Sequence, residues 1–346
     1  MRAVDLFAGA GGLSAGLHKA GFDVDLAVEA DQAAVTAYRR IHPQAEVWPE
    51  LVQPAKLRRL RGTVDLLAAG PPCQPFSTAG KRLGCRDPRD GFPALLESID
   101  AVRPSNVLIE NVAGLASGKR LEYLSSVILE LRSRGYIVVS RVLDAADFGV
   151  RQHRRRLFIV ATKDRQFGFP AATHGPTANR PWLSCEPILR RRKAASDTSN
   201  VSAVIFAKRP HLRASPFSGL LFNGSGRPLC PERPAPTILA SAGGNKTHFI
   251  DRLDEVPKYH RHLIEGGEPR RGKLIGAERL SPGQCAALQT LPQTAFKGPP
   301  STRYRLIGNA VPPKLAQAVG GHLLMHLTGE LNSSGSPQEE HQPTHQ

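Results

Sequence analysis

Close to its start the chain runs from an apolar stretch straight into a glycine turn: Val4-Asp5-Leu6-Phe7-Ala8-Gly9-Ala10-Gly11-Gly12. The apolar stretch reads as a short buried strand. The glycines permit a tight turn and a close approach of backbone to a ligand. Leu13, Leu17 and Ala20 then share one face at helical spacing, and Gly21 closes that helix. A strand, a glycine turn and a helix in this order begin a doubly wound α/β fold, in which ligands sit at the carboxyl ends of the strands.

The alternation continues. Val24 to Ala30 reads as a second strand with a helix opening near Asp31, and Val64 to Ala68 as a third running into Pro71-Pro72-Cys73. Residues 94–102 form a helical pattern that stops before Pro104, as the residue preceding a proline disfavours helix. Asn106 to Ile109, Tyr136 to Leu143 and Arg156 to Ala161 read as strands, with an amphipathic helix from Leu121 to Arg134. The expected fold is therefore α/β, with a doubly wound, mostly parallel sheet.

After about residue 170 periodicity is lost and proline, glycine, serine and arginine dominate, until helical patterns return near Gln284–Leu291 and Lys314–Leu327. We expect residues 1–170 and 300–330 to form one domain and 171–299 a smaller, irregular one. Residues 331–346, almost all polar, read as a disordered tail.

Charge narrows the partners. Lys+Arg 46 against Asp+Glu 30 leaves the chain at +16, which favours a polyanion such as nucleic acid, although membrane-surface proteins also run basic. No apolar run approaches membrane-spanning length, and the first residues lack the pattern of a signal peptide, so a cytoplasmic location is expected. Five cysteines without a Cys-x-x-Cys pair indicate neither a disulfide framework nor a zinc site, and no metal is expected.

The glycine loop suits an adenosine-containing cofactor, with Glu29, at the end of the second strand, placed to hold ribose hydroxyls. Its spacing departs from Gly-x-Gly-x-x-Gly. A nicotinamide cofactor, or a tight turn with no ligand, remains open from this loop alone. More telling is Gly70-Pro71-Pro72-Cys73-Gln74-Pro75-Phe76-Ser77, a cysteine held in a stiff turn where such a sheet keeps its active site. An isolated Pro-Cys would more often be a buried structural thiol.

Taken together the blocks resemble the DNA cytosine-5 methyltransferases. Asp5–Gly12 is similar to that family's first cofactor motif, residues 70–77 to its nucleophile motif, and Glu110-Asn111-Val112 to its glutamate motif. Gln152-His153-Arg154-Arg155-Arg156 matches the Gln-x-Arg-x-Arg block, and Tyr304 to Pro313 the closing motif with Asn309. Alone, Glu110 would be an ordinary strand end, Arg154 to Arg156 a solvated charge run, and Gly308-Asn309 a turn.

The resemblance implies the S-adenosylmethionine-dependent methyltransferase fold with a target-recognition domain. It implies S-adenosylmethionine as cofactor, contacted by Phe7, Gly9, Gly11, Gly12, Glu29, Pro72 and Asn309. The catalytic set would be Cys73, Glu110, Arg154 and Arg156. A thiolate on Cys73 adds to carbon 6 of cytosine and activates carbon 5. Glu110 meets nitrogen 3 and the exocyclic amine, Arg154 holds the carbonyl oxygen, and Arg156 braces Glu110. Because the attack is perpendicular to the ring, the cytosine must be flipped out of double-stranded DNA. Arg180, Arg190, Arg191, Arg192, Lys193, Lys208, Arg209, Arg213 and the segment Gly243-Gly244-Asn245-Lys246-Thr247 would serve the DNA. A monomeric bacterial modification enzyme, functionally paired with a restriction endonuclease, is the expected setting.

Three stretches depart from the family pattern. No Gly-Asp pair follows the second helix, which leaves Glu50 as a substitute; Pro93 stands where a helix begins; and Gln284 replaces a common glutamate. Two rivals remain: a transfer-RNA methyltransferase of the same fold, whose Cys-Phe-Thr signature this chain lacks, and a silent DNA-binding module.

Overall fold

A computed structural model describes residues 1–72, 90–190, 203–210, 228–243 and 247–330. The expected nucleophile Cys73, the tail 331–346, and Arg191, Arg192, Lys193, Arg213 and residues 244–246 lie outside the described residues.

In chain order the first unit comprises β1 (Arg2–Leu6), α1 (Gly12–Ala20), β2 (Asp23–Val28), α2 (Gln32–Ile41), β3 (Glu46–Trp48), α3 (Pro54–Leu57), β4 (Leu66–Ala69), α4 (Phe92–Val102), β5 (Asn106–Val112), α5 (Leu121–Ser133), β6 (Ile137–Asp144) and β7 (Arg155–Thr162). Its seven strands lie in the order β3-β2-β1-β4-β5-β7-β6, and all run parallel except β7. The order reverses between β1 and β4, and the crevice at the carboxyl ends of these two strands is where a doubly wound sheet takes its ligand.

Side chains alternate across the sheet because the strand period is two. Val4, Leu67, Ile109 and Ile159 face one core layer with α4 and α5, whereas Ala3, Ala68, Leu108 and Val160 face the other with α1. This second layer is completed by the last helix. A side chain on Gly16 of α1 would stand 2.3 Å from Ala316 Cβ, so only glycine lets the two helices come this close.

The stretch without sequence periodicity does contain regular elements. They are α6 (Glu186–Arg190), β8 (Ala203–Ile205), β9 (Phe249–Asp251), α7 (Glu255–Ile264) and β10 (Lys273–Arg279). Strands β8, β10 and β9 form an antiparallel three-stranded sheet, against which α7 packs Val256 and Tyr259. The chain then forms α8 (Pro282–Leu288), α9 (Pro300–Asn309) and α10 (Pro313–Thr328). One apolar cluster joins Ala34 and Ala37 of α2 to Leu229, Ile238, Leu288 and Ile307, so the late segments pack back onto the first unit. No helix among the described residues is long and apolar enough to cross a membrane.

Two departures in the sequence find a local role. Pro93 occupies the first turn of α4, where the missing N–H would have had no helical partner. Gln284 completes a capping box at the start of α8: its backbone N donates to Ser281 Oγ, and its Oε1 accepts from Ser281 N at 2.9 Å. Glutamine accepts there as glutamate would.

Candidate active site

The carboxyl ends of β1, β2, β4 and β5 open into a cavity of about 860 Å³. Phe7 begins its wall directly after β1 in a left-handed conformation (φ 56°), which an aromatic residue adopts only when its surroundings enforce it. Gly9 (φ 56°) and Gly11 (φ 85°) continue the turn. Gly12 has a different reason to be glycine: a Cβ there would lie 2.2 Å from the carbonyl oxygen of Val311. The first motif and the segment after Asn309 thus touch backbone to backbone, and both line the cavity.

Glu29 follows β2 and turns its carboxylate onto the loop. Its Oε2 accepts from Gly9 N and its Oε1 from Asp31 N, both at 2.8 Å. Each oxygen keeps a further lone pair for a ligand hydroxyl. Asp31 caps α2 and pairs with Arg305 of α9, which holds its carboxyl below the usual range. Both residues line the cavity. Neither had been singled out as a site residue in the sequence, where Asp31 only marks a helix start.

Gly70, Pro71 and Pro72, which precede the expected nucleophile Cys73, border the same space. Pro71 and Pro72 line the cavity, Asn111 Nδ2 donates to Pro71 O at 2.9 Å, and Gly91 N donates to Pro72 O at 3.0 Å. A Cβ on Gly91 would come within 2.5 Å of Pro72 Cδ. The backbone leading to Cys73 is therefore clamped from two sides.

Glu110 and Arg156 meet on the wall. Arg156 pairs with Val112 across the antiparallel β5–β7 ladder and Phe158 with Glu110, so Arg156 and Glu110 are diagonal neighbours on one face. Arg156 Nε stands 2.9 Å from Glu110 Oε1, with both side chains about nine-tenths buried. Burial pushes the Glu110 carboxyl up, more than Arg156 and Arg154 pull it down. A carboxyl so placed keeps a proton more readily than one in water.

Arg154 goes elsewhere. It is fully buried and is not part of the cavity lining. Its Nη1 donates to Ile238 O at 3.1 Å, and its Nη2 to Gly308 O at 2.7 Å and Ala310 O at 2.9 Å. Three of its donors go to backbone carbonyls, and its Nε, without a hydrogen-bond partner among the described residues, is buried away from the cavity lining. The expected assignment of the carbonyl contact to Arg154 thus meets a residue that braces the closing motif, and the arginine facing the cavity beside Glu110 is Arg156.

The remaining expected residues divide likewise. Asn309 is exposed at the end of α9 and lines the cavity, as do Gly9, Gly12 and Glu29; Gly11 lies in the turn behind, where a Cβ would meet Tyr38 and His42. Glu50 lines the cavity too, with Lys56 Nζ 2.5 Å from its Oε2. Asp5, Asp90 and Arg120 join the lining without having been anticipated. The result is an acidic cleft, with Asp5, Glu29, Asp31, Glu50, Asp90 and Glu110 facing three arginines, in a chain whose net charge is +16.

Comparison with known proteins gives a consistent result. The model of the C-5 cytosine-specific DNA methylases matches residues 1–324. The Type II methyltransferase M.NaeI of Lentzea aerocolonigenes is 32% identical over 342 residues, covering 95% of this chain and 76% of that protein. The Type II methyltransferase M.Eco47II of Escherichia coli is 33% identical over 339 residues, covering 95% and 80%. Among solved structures, a mutant of Spodoptera frugiperda DNMT2 superposes with a TM-score of 0.69 at 18% identity, covering 93% of this chain and 99% of that one. A putative DNA modification methyltransferase encoded within an Escherichia coli prophage gives a TM-score of 0.63 at 18% identity, covering 95% and 99%. At such identities the structures speak for the fold.

Proposed function

The chain belongs to the C-5 cytosine-specific DNA methylase family, and on that premise we propose how its residues move a methyl group from S-adenosylmethionine to carbon 5 of a cytosine in DNA. The observation that carries the assignment of roles is the pairing of Glu110 with Arg156 on the wall that also holds Phe7, Glu29 and Pro72.

The cleft fits the cofactor. Its acidic lining suits a ligand with a net positive charge, and the glycine turn leaves backbone close to the ligand. Phe7 would lie against the adenine, Glu29 would take the ribose hydroxyls, and Asn309 and the loop glycines would border the methionine part. Glu50 is the candidate for the adenine amine in place of the absent aspartate. When bound, S-adenosylmethionine supplies an electrophilic methyl group on a sulfonium.

The chain's own residues prepare the cytosine. Cys73, as thiolate, attacks carbon 6 and moves electron density to carbon 5. Glu110, whose burial raises its hold on a proton, donates to nitrogen 3 as negative charge develops there. Arg156 holds Glu110 in place and offers its remaining donors to the base carbonyl. Arg154 fixes the closing motif against the cavity from behind. Loss of the carbon 5 proton and departure of Cys73 restore the ring.

The three-stranded sheet with α7 and the segments around it are the candidate target-recognition unit, and residues 1–170 with 300–330 the catalytic one. Arg180, Arg190, Lys208 and Arg209 are exposed and available to phosphates. The Type II names of the relatives support a modification enzyme of a restriction–modification pair; a monomer in a bacterial cytoplasm is the setting we propose for it.

A transfer assay with labelled S-adenosylmethionine on duplex DNA and on RNA tests the reading. Label should enter DNA, and the Cys73→Ser variant should not transfer it. Incorporation into RNA alone would overturn the substrate assignment, and an active Cys73→Ser variant would overturn the nucleophile. Bisulfite sequencing of DNA from an expressing host would then read out the target sequence.

A further inference from the structure

Asp5 has no part in the chemistry above, yet it occupies a costly position. It lies near the end of β1, is fully buried, and belongs to the cavity wall. Its Oδ2 accepts a hydrogen bond from Ser14 Oγ of α1 at 2.5 Å, and Ser14 Oγ accepts from Tyr38 OH of α2 at 2.9 Å. Its Oδ1 has no hydrogen-bond partner among the described residues. A buried ionised carboxylate with one oxygen unsatisfied carries a large desolvation penalty.

The neighbouring charges add to that penalty. Glu29 at the end of β2, and Glu110 on β5 whenever it is ionised, act on Asp5 as like charges, whereas Ser14 and Tyr38 contribute only hydroxyls. His42, beside Tyr38, turns its Nε2 to Gly11 O at 2.9 Å instead. Burial foremost, and these acids in addition, push Asp5 up to about 7. Near neutrality it therefore exchanges a proton with little bias either way, and a positive charge entering the cleft is what would tip it. Through a protein interior of effective permittivity about 20, that attraction is several times stronger than in water.

We propose that Asp5 releases a proton when S-adenosylmethionine enters the cleft, and that the carboxylate so formed makes the cleft prefer the methyl donor, with its sulfonium charge, to the product, whose net charge is zero. The inference rests on the cleft being the cofactor site. The balance is simple: the carboxyl proton passes to solvent on binding. When the methyl group has left and the sulfonium has become a neutral thioether, Asp5 takes a proton back, which weakens the hold on the product. Asp5 is a residue of specificity in this account, acting through charge and not through the reacting atoms.

The test is calorimetric titration of the full chain near pH 7 with S-adenosylmethionine, and separately with S-adenosylhomocysteine, in phosphate and in Tris. The heats for the methyl donor should differ between the buffers by an amount that reports proton release, and those for the product should differ less. Asp5→Asn keeps the shape and an acceptor for Ser14. It should abolish the difference and lower the preference for donor over product by roughly fivefold or more, whereas Glu110→Gln should leave the release in place. Should Asp5→Asn not fold, the parent still decides, because its affinity for the donor must rise from about pH 6 to about pH 8 while that for the product stays flat. Equal heats in both buffers, or release undiminished in Asp5→Asn, would overturn the proposal while leaving the cofactor assignment intact. Failure of both ligands to bind would overturn that assignment and this inference with it.

Discussion

Arg154 Nη2 donates to the carbonyl oxygen of Gly308 across 2.7 Å, although 154 residues separate the two in the chain. With Ala310 O and Ile238 O as further acceptors, one buried guanidinium joins the entrance of β7, the closing motif and the segment around Ile238. Gly308 must be glycine for the same junction, since a Cβ there would lie 2.3 Å from Ala240 N. The cavity wall formed by Leu306 to Val311 depends on this point.

Arg154→Ala should therefore act through stability and cofactor binding. It removes three charge-assisted donors and leaves buried carbonyls unpaired, a loss of roughly 3–5 kcal/mol. Arg154→Lys keeps the charge but not the planar fork, and should recover only part. Urea denaturation gives both values; a fully stable Arg154→Ala protein would contradict the bracing role.

Glu110→Gln should separate chemistry from binding. The amide fills the same space but cannot supply the proton, so single-turnover methyl transfer should fall by about 10²-fold or more. Affinity for S-adenosylmethionine should change little. A drop in affinity with an unchanged transfer rate would place Glu110 in cofactor binding instead.

Two glycines of the first motif should respond differently to alanine. Gly12→Ala drives a methyl group to 2.2 Å from Val311 O, a backbone atom that cannot swing aside, and should cost about 1–3 kcal/mol together with cofactor affinity. Gly9→Ala meets nothing within 4 Å and bears only the left-handed conformation, roughly 1–2 kcal/mol. Thermal unfolding with and without S-adenosylmethionine distinguishes them; equal effects would mean that the contact with Val311 is not limiting.

The pH dependence of stability carries the signature of Asp5. Its carboxyl titrates near 7 in the folded chain against an ordinary value of 3.8, so between these the native state binds more protons than the unfolded state. Its contribution is whole below about pH 4 and is lost as pH rises through 7, by at most on the order of 4 kcal/mol. Asp31 and Asp144, both held below their ordinary value, act in the opposite sense and only in more acidic solution. Denaturation at about pH 5 and pH 8 should show a decline for the parent that Asp5→Asn lacks.

Much of the first unit was legible in the sequence because its signals are local. Val4 to Phe7, Asn106 to Ile109 and Arg156 to Ala161 lie within or beside the observed strands β1, β5 and β7. Gly21 ends α1 as expected, in a left-handed conformation. The short edge strand β3 and the elements α7 and β10 escaped, the last two in a stretch where turns interrupt every apolar period. The helix α9 escaped because Gly308-Asn309 reads as a turn, although both belong to its last turn. For Arg305 and Asp31 nothing in the sequence announces a pair.

By itself the sequence determined the order of strand, glycine turn and helix, and the types of residue delivered to the sheet's carboxyl edge. Hydrophobic period, glycine and proline act over a few residues, and no long-range contact is needed to read them. That Arg156 braces Glu110 was expected from the resemblance; that Arg154 turns away from the cavity was decided only by tertiary structure. Arg154 and Arg156 are equivalent as letters in one motif, but the β5–β7 register sets Arg156 diagonally beside Glu110 and leaves Arg154 beyond Val112, where β5 ends. There the guanidinium meets carbonyls from residues 238, 308 and 310. The same is true of Asp5: its place in the strand is local, but its proton depends on Ser14, Glu29 and Glu110, which only folding gathers around it.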